Sequence, residues 1–459
     1  MEWVLSNAEM RAADSFTIEN LGISGGQLMK AAGKAIADEV EKAAKKLNVN
    51  DITVICGTGN NGGDGYICAE ELKNRGYKVD VCDRYLQHIT GAIVVDCIFG
   101  TGLCREVTGE YAEIIDKINN SGAYVISADI PSGLNGNNGR IMGCAVRADL
   151  TVAIAEYKLG MFLNDGPDYC GEIIKKDIGI SLPESSYAFM ATCRDISEFY
   201  PKRPRNSHKG SYGSANLVAG SHKYIGAAAL STEAALKSGC GYVKLTSAER
   251  VINALAPKFP QAIYLDAPDL SSDAIAIGMG CGATEVVYET IKKLLTEYSG
   301  NLLIDADGLN ALAKFGADIL KTKKCSVILT PHVKEFSRLS GIPVEEILND
   351  PVAVTKSFAK EYGVTLVLKS ATTVICDGEK TALNVTGNTA LAKGGSGDML
   401  SGYLCGTLAR GVKPFEAALC SAFALGKAAE IAAAEKTEYC ATAKDILKNL
   451  HISVKRLTH

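Results

Sequence analysis

The sequence predicts an α/β protein in two domains, on three observations. Apolar, β-branched runs alternate with amphipathic helical stretches through both halves, the pattern of βαβ units in a mostly parallel sheet. The alternation breaks once, over residues 181–213. Two glycine-rich loops, one in each half, stand where a strand-like run or a turn gives way to a helical pattern.

At 459 residues the chain has room for two or three domains. Hydrophobic residues make up 47% and charged residues 22%, enough apolar material for sizeable cores. A net charge of −4 provides no general basic field for nucleic acid or an anionic membrane. One basic stretch, Lys202-Arg203-Pro204-Arg205 with His208 and Lys209, reads as a solvated linker. The 15 cysteines form no C-x-x-C pair and no grouping with the six histidines, so neither a disulfide framework nor a zinc site is expected. Free thiols fit a reducing, cytoplasmic setting. The N-terminus lacks a basic segment followed by an apolar run, and no stretch reaches about 18 uninterrupted apolar residues, so neither a signal peptide nor a membrane span is expected.

Along the chain, residues 27–47 read as an amphipathic helix with Leu28, Met29, Ala32, Ile36 and Val40 on one side. Ile52–Cys56 is a strand that enters the first loop, Gly57-Thr58-Gly59-Asn60-Asn61-Gly62-Gly63-Asp64-Gly65. A helix over 65–75 stops at Gly76. Strands follow at 92–99, 123–128 and 150–155, with a helix near 110–119. Pro183, Pro201, Pro204 and a mixed charge run then mark a boundary near 195–200, which gives domains 1–198 and 199–459. Strands resume at 215–219, 241–246, 274–278, 301–305, 326–330 and 364–369. Helices lie at 226–238 and 285–298, and Ala-rich ones close the chain at 398–410 and 414–434.

Both loops are suited to phosphate. Glycines let the backbone approach a ligand, and a helix N-terminus presents free N–H groups to an anion. In the first half, Asp96 before Gly100-Thr101-Gly102 and Asp129 before Ser132-Gly133 put acids at two further strand ends. Such oxygen-rich convergence suits a sugar-phosphate or a hard cation. In the second half, Gly394-Gly395-Ser396-Gly397-Asp398 places an acid in the first turn of a helix, where it can take a proton from a hydroxyl during phosphoryl transfer. Acids at Asp305 and Asp307, His332 at another strand end, and Lys369 to Thr373 surround it.

The stretches GTGNNGGDGY, VDCIFGTGL, DIPSGLNGNNGRIMG and ADLTVAIAEYKLGMF make the first half resemble the YjeF N-terminal family, the NAD(P)HX epimerases. That resemblance implies a Rossmann-like α/β/α domain that epimerises hydrated nicotinamide dinucleotides at C6. Substrate would contact Asn60, Asn61, Gly62, Gly63, Asp64, Gly100, Thr101, Gly102, Leu103, Cys104, Arg105, Glu106 and Asp129, with Asp129 as acid/base. A K+ ion would be held by Asn61, Asp96 and Ser132. The stretch before Asp96 is shorter than the family's, which implies a smaller sheet or an open edge.

The second half, through HKGSYG, GMGCG, DADGLNALA, LTPHVKEF and GNTALAKGGSGDMLSG, resembles the ribokinase-like NAD(P)HX dehydratases. The resemblance implies an α/β/α domain with substrate at Ala227, Gly280 or Gly282, His332 and Asp398. ADP, with Mg2+, would lie on Lys369, Ser370, Ala371, Thr372, Thr373, Asn388, Lys393, Gly394, Gly395, Ser396 and Gly397. Asp398 would be the base. A homo-oligomer is implied as well. The Gly-Asp loop by itself fits a small-molecule kinase equally, and the first half by itself could be a nucleotide-binding module without activity.

Overall fold

The computed structural model describes residues 1–83 and 89–458. It comprises two compact units, residues 2–188 and 189–459. They divide at 188/189, after Pro183 and ahead of Pro201 and Pro204. The strand Ala188–Met190 pairs with Thr381–Asn384, and the short helix Cys193–Ser197 packs on Pro414–Cys440 and Ala443–Thr458.

In the first unit six parallel strands run in the order Lys78–Cys82, Asp51–Cys56, Ile93–Cys97, Tyr124–Ala128, Leu150–Ile154, Glu172–Lys176. The central strands are nearly continuous Val, Ile and Ala and are buried along their length, as a sheet covered on both faces requires. The helix Gly25–Leu47 lays Ala32, Ile36, Val40 and Ala44 on one face, packed with Cys68 and Leu72 of Asn60–Asn74. Ile114, Ile115 and Ile118 of Glu110–Asn119 cover the other. From Asp51–Cys56 the chain moves outward to Lys78–Cys82, then returns to the opposite side at Ile93–Cys97. The sheet therefore has its switch point between strands 51–56 and 93–97, where ligands bind in open α/β sheets. The connection before Asp96 is indeed short, residues 83–92, of which 84–88 lie outside the described residues. Lys78–Cys82 ends the sheet beside it.

In the second unit the strands run Ile263–Leu265, Tyr242–Thr246, Ser214–Val218, Ala274–Ile277, Asn301–Ile304, Ser326–Leu329, Thr365–Leu368, all parallel, followed by the antiparallel Thr373–Cys376. Thr381–Asn384 pairs antiparallel with that strand. Its switch point lies between Ser214–Val218 and Ala274–Ile277. The helices Ile225–Lys237 and Ser396–Ala409 pack closely, and Pro414–Cys440 packs on the latter, buried over most of Phe415–Ala433 and exposed beyond. By length and composition that last helix could cross a membrane; 78% of its apolar window is buried inside the protein.

Candidate active sites

At the first switch point a cleft of about 690 Å³ opens beyond the strand ends. The Asn60–Asn74 helix begins directly after the loop, so Asn60, Asn61 and Asp64 occupy its first turns and line the cleft with Thr58 and Gly59. Gly100, Thr101, Gly102, Leu103, Cys104, Arg105 and Asp129 line the same cleft. A methyl group on Gly100 would lie 3.5 Å from both Asn61 and Asp129 Oδ2, which places these three residues side by side.

Gly62 and Gly63 have a different role. A methyl on Gly62 would lie 1.9 Å from Gly57 O, and one on Gly63 would lie 2.7 Å from Met29 Sδ. They let the helix pack against its own loop and against Gly25–Leu47, and they do not line the cleft. Glu106 is exposed outside it.

Asp129 ends a strand at φ +67°, a left-handed backbone that an L-residue adopts at a cost. Its N–H donates to Val152 O at 2.9 Å, and Lys158 Nζ donates to its Oδ1. Lys158 is 1% exposed and also donates to Ile154 O at 2.7 Å. This buried lysine lies within a stretch that carries the family resemblance, but nothing in its spacing marks it as the partner of Asp129. Asp14 and Arg11, from the helix Asn7–Leu21, line the same cleft and carried no sequence signal. Burial, then the charges of Asp129 and Asp14, push the Asp64 carboxyl up to about 8, against the opposing pull of Lys158.

Asp96 is fully buried below this floor. Its oxygens accept from Ser127 Oγ (2.8 Å), Ser132 Oγ (2.5 Å), Ser132 N (2.9 Å) and Ile98 N (3.2 Å). Burial raises its pKa, and these donors oppose the rise. Asn61 contrasts with it, because both side-chain amide atoms are buried with no partner. An orphaned amide at a strand-end cleft is a group waiting for a ligand.

The second site assembles at the other switch point. Gly280 (φ +68°) abuts Tyr224 and Ala227, so closely that a methyl would lie 2.9 Å from Ala227 Cβ. Gly282 N donates to Asp307 Oδ2 at 2.7 Å. His332 caps the helix Val333–Ser340, its Nδ1 accepting from Lys334 N and Glu335 N, and burial first of all lowers its pKa. Lys369 N donates to Pro331 O at 2.8 Å, which brings Lys369 beside His332. The buried Asp305 accepts from Lys369 Nζ at 3.0 Å and from Ser401 Oγ at 2.6 Å. A methyl on Gly397 would lie 3.4 Å from Lys369 Nζ, so the lysine reaches the glycine loop. Gly395, at φ +98°, turns the chain into the helix that carries Asp398 in its first turn. Burial and then the charge of Asp305 raise the Asp398 carboxyl to about 6, against Lys369.

The remaining nucleotide candidates are spread around this centre. Ser370 and Ala371 are exposed, Thr372 is buried and Thr373 begins the antiparallel strand. Asn388 accepts from Ala390 N and caps a short turn. Lys393 donates to Glu438 O, Tyr439 O and Ala441 O at 2.6–2.8 Å, where the Pro414–Cys440 helix is broken by a positive φ at Thr437. Among the described residues no three His, Cys, Asp or Glu side chains converge as a metal site.

Both halves of the chain match known families. A family model described as NAD(P)H-hydrate dehydratase matches residues 215–451. One described as the YjeF-related protein N-terminus matches residues 25–90 and 82–160, two segments that meet in the short connection before Asp96. A bifunctional NAD(P)H-hydrate repair enzyme of Thermofilum pendens is 32% identical over 98% of this chain and 96% of its own length. The chain belongs to the bifunctional NAD(P)H-hydrate repair enzymes. A second member of that family, from Coxiella burnetii, is 32% identical over 99% of this chain and all of its own. Among solved structures, a Bacillus subtilis ADP/ATP-dependent NAD(P)H-hydrate dehydratase co-crystallized with ATP and Mg2+ superimposes with a TM-score of 0.54 at 33% identity, covering 59% of this chain and 99% of that one.

Proposed function

We propose that the first unit interconverts the R and S forms of hydrated NADH and NADPH. The second unit dehydrates the S form to NADH or NADPH at the expense of ADP, giving AMP and phosphate. The match to bifunctional repair enzymes over nearly the whole of both chains carries this reading. Two separate sheet switch points, each with a buried carboxyl of raised pKa, support it.

In the epimerase, Asn60, Asn61 and the 100–105 loop hold the dinucleotide, and Asp129 moves a proton at the hydrated nicotinamide ring so that C6 can open and reclose. Lys158 fixes the Asp129 carboxylate, while Asp64 supplies a protonated acid in the same cleft. For potassium, Asn61 fits, since its Oδ1 is buried and unpartnered. Asp96 and Ser132 satisfy each other, so their part is to brace the site from behind and to fix the Phe99 main chain, whose N–H donates to Ser132 Oγ at 2.8 Å. When bound, the ion supplies positive charge toward substrate oxygens.

In the dehydratase, Asp398 takes the proton of the C6 hydroxyl, and that oxygen attacks the terminal phosphorus of ADP. The glycine loop and Lys369 neutralise charge developing on the phosphoryl group. AMP leaves as the new O–P bond forms, and loss of phosphate from C6 together with a proton from C5 then restores the dihydronicotinamide. Asp305 acts as a positioning residue, holding Lys369 and Ser401. A Mg2+ that arrives with the nucleotide needs only one or two protein ligands and would supply charge neutralisation at the phosphates; Asp307 or Asp398 would offer it a carboxylate, while Asp305 is held by Lys369 and Ser401. Unpaired thiols throughout the chain fit a reducing, cytoplasmic setting.

The test is recovery of dihydronicotinamide near-ultraviolet absorbance from mixed R- and S-NADHX with ADP or ATP. Full recovery is expected. Recovery halting at the S fraction would remove the epimerase assignment. A stable phosphorylated product without NADH would replace the dehydratase by a kinase.

A further inference from the structure

The helix Ser396–Ala409 carries Asp398 at one end and Arg410 beyond the other, about 18 Å apart along its axis. At the Arg410 end lies a pocket of about 590 Å³, lined by no residue of the glycine-loop site. Lys202, Arg203, Lys237 and Arg410 line it, and among the described residues no carboxylate does. Arg410 is the telling member. Its Nη1 makes a 3.5 Å bond to Phe199 O, while Nε and Nη2 are buried with no partner among the described residues. The Tyr200 ring lies 5.2 Å from its Cζ and offsets some of the cost, yet leaves those two N–H groups without an acceptor. Tyr200 is itself pinned by a 2.8 Å bond to the Tyr403 hydroxyl, which gives the pocket a fixed floor. Two buried guanidinium N–H groups with no counter-charge among the described residues are costly, and the fork matches phosphate oxygens in pairs.

Helix dipoles account for only part of this cluster. Ile225–Lys237 and Ser396–Ala409 both end here, and a cation near each carboxyl end is ordinary. That explains Lys237 and Arg410, but not Lys202 and Arg203, which the 200–203 segment brings to the same place. Arg203 is held there by Gly239 O at 2.5 Å and by the Tyr212 ring. The stretch that reads in the sequence as a solvated linker is thus one wall of a cationic pocket. Four positive charges exceed what one phosphate needs, and the volume exceeds that of a free ion. We propose that this pocket binds a diphosphate-bearing small molecule of nucleotide size, at a site separate from both active sites.

The test is calorimetric titration of the full chain with inorganic pyrophosphate, and in parallel with ADP, comparing wild type, Arg410→Met and the double variant Lys202→Gln/Arg203→Gln. Wild type is expected to take up one more equivalent of pyrophosphate per chain than Arg410→Met. The double variant should keep that equivalent with affinity weakened roughly tenfold or more. Loss of an extra ADP equivalent in Arg410→Met would mark the ligand as a nucleotide. Loss confined to pyrophosphate would mark a diphosphate on another body. Superimposable isotherms for all three proteins would overturn the proposal. Lys202 and Arg203 are exposed, so if Arg410→Met fails to fold, unchanged pyrophosphate affinity in the double variant overturns it alone.

Discussion

Asp398 must be ionised to accept a proton, and its carboxyl is raised to about 6 by burial and by the charge of Asp305. The dehydratase kcat/KM is therefore expected to rise with pH through about 6 and then level. Asp398→Asn should reduce kcat roughly 10³-fold with little change in ADP affinity. Asp305→Asn removes a charge that raises Asp398, so the same limb should move below 6. It also frees Lys369, so KM for ADP should rise. A limb left in place, with KM unchanged, would exclude Asp305 from the site. In the other unit Asp64 keeps its proton at neutral pH, because its carboxyl is raised to about 8, chiefly by burial. The folded state holds that proton more tightly than the unfolded chain, where a carboxyl titrates near about 4. The associated stability is present below that value and is lost as pH rises through 8. Asp64→Asn should thus flatten the decline in thermal midpoint between about pH 4 and 8, as measured by calorimetry. A slope like that of wild type would place the titrating group elsewhere. The acids at strand ends were legible because each stands beside glycines after an apolar run. Lys158 was not, since a single lysine near a buried strand looks like any snorkelling side chain until the fold sets it against Asp129.

The helices Ser396–Ala409 and Ile225–Lys237 meet through small residues. A methyl on Gly402 would lie 2.0 Å from Ser231 O, and one on Gly406 would lie 2.0 Å from Ser238 Oγ. Gly402→Ala must push the helices apart, at a cost of about 2 kcal/mol or more. Asp398 sits one turn away on the same helix, so kcat should fall together with stability in a denaturant titration. An unchanged midpoint would show that the interface is loosely packed. Central strands such as Ile93–Cys97 and Ala274–Ile277 were legible because strands buried on both faces read as unbroken apolar runs. Edge elements were not. Lys78–Cys82 and Glu172–Lys176 carry lysines and acids along their length, and Asn7–Leu21 buries Asn7 and Thr17 with only Met10 and Ala13 for apolar contact. The antiparallel pair Thr373–Cys376 and Thr381–Asn384 was hidden as well, being only four residues each around a polar turn.

Across the whole molecule, each unit has its own switch point and its own acid groups, so the two chemistries should separate by single substitutions. Asp129→Asn is expected to slow R-to-S exchange roughly 10²–10⁴-fold, towards its spontaneous rate, while S-NADHX is still dehydrated at the wild-type rate. Asp398→Asn should do the reverse, leaving exchange intact and abolishing NADH formation. Mixing the two variants in equal amounts should restore full recovery from racemic substrate, because the product of one reaction is the substrate of the other and is free to diffuse. Chromatographic separation of the R and S forms over time, with absorbance for NADH, reads both rates in one experiment. Recovery in the mixture well below that of an equal amount of wild type, with each single activity intact, would show that the S form passes between the units without release. Loss of both activities in either variant would mean that the two sites are not independent, and the division of labour argued from the separate switch points would fail.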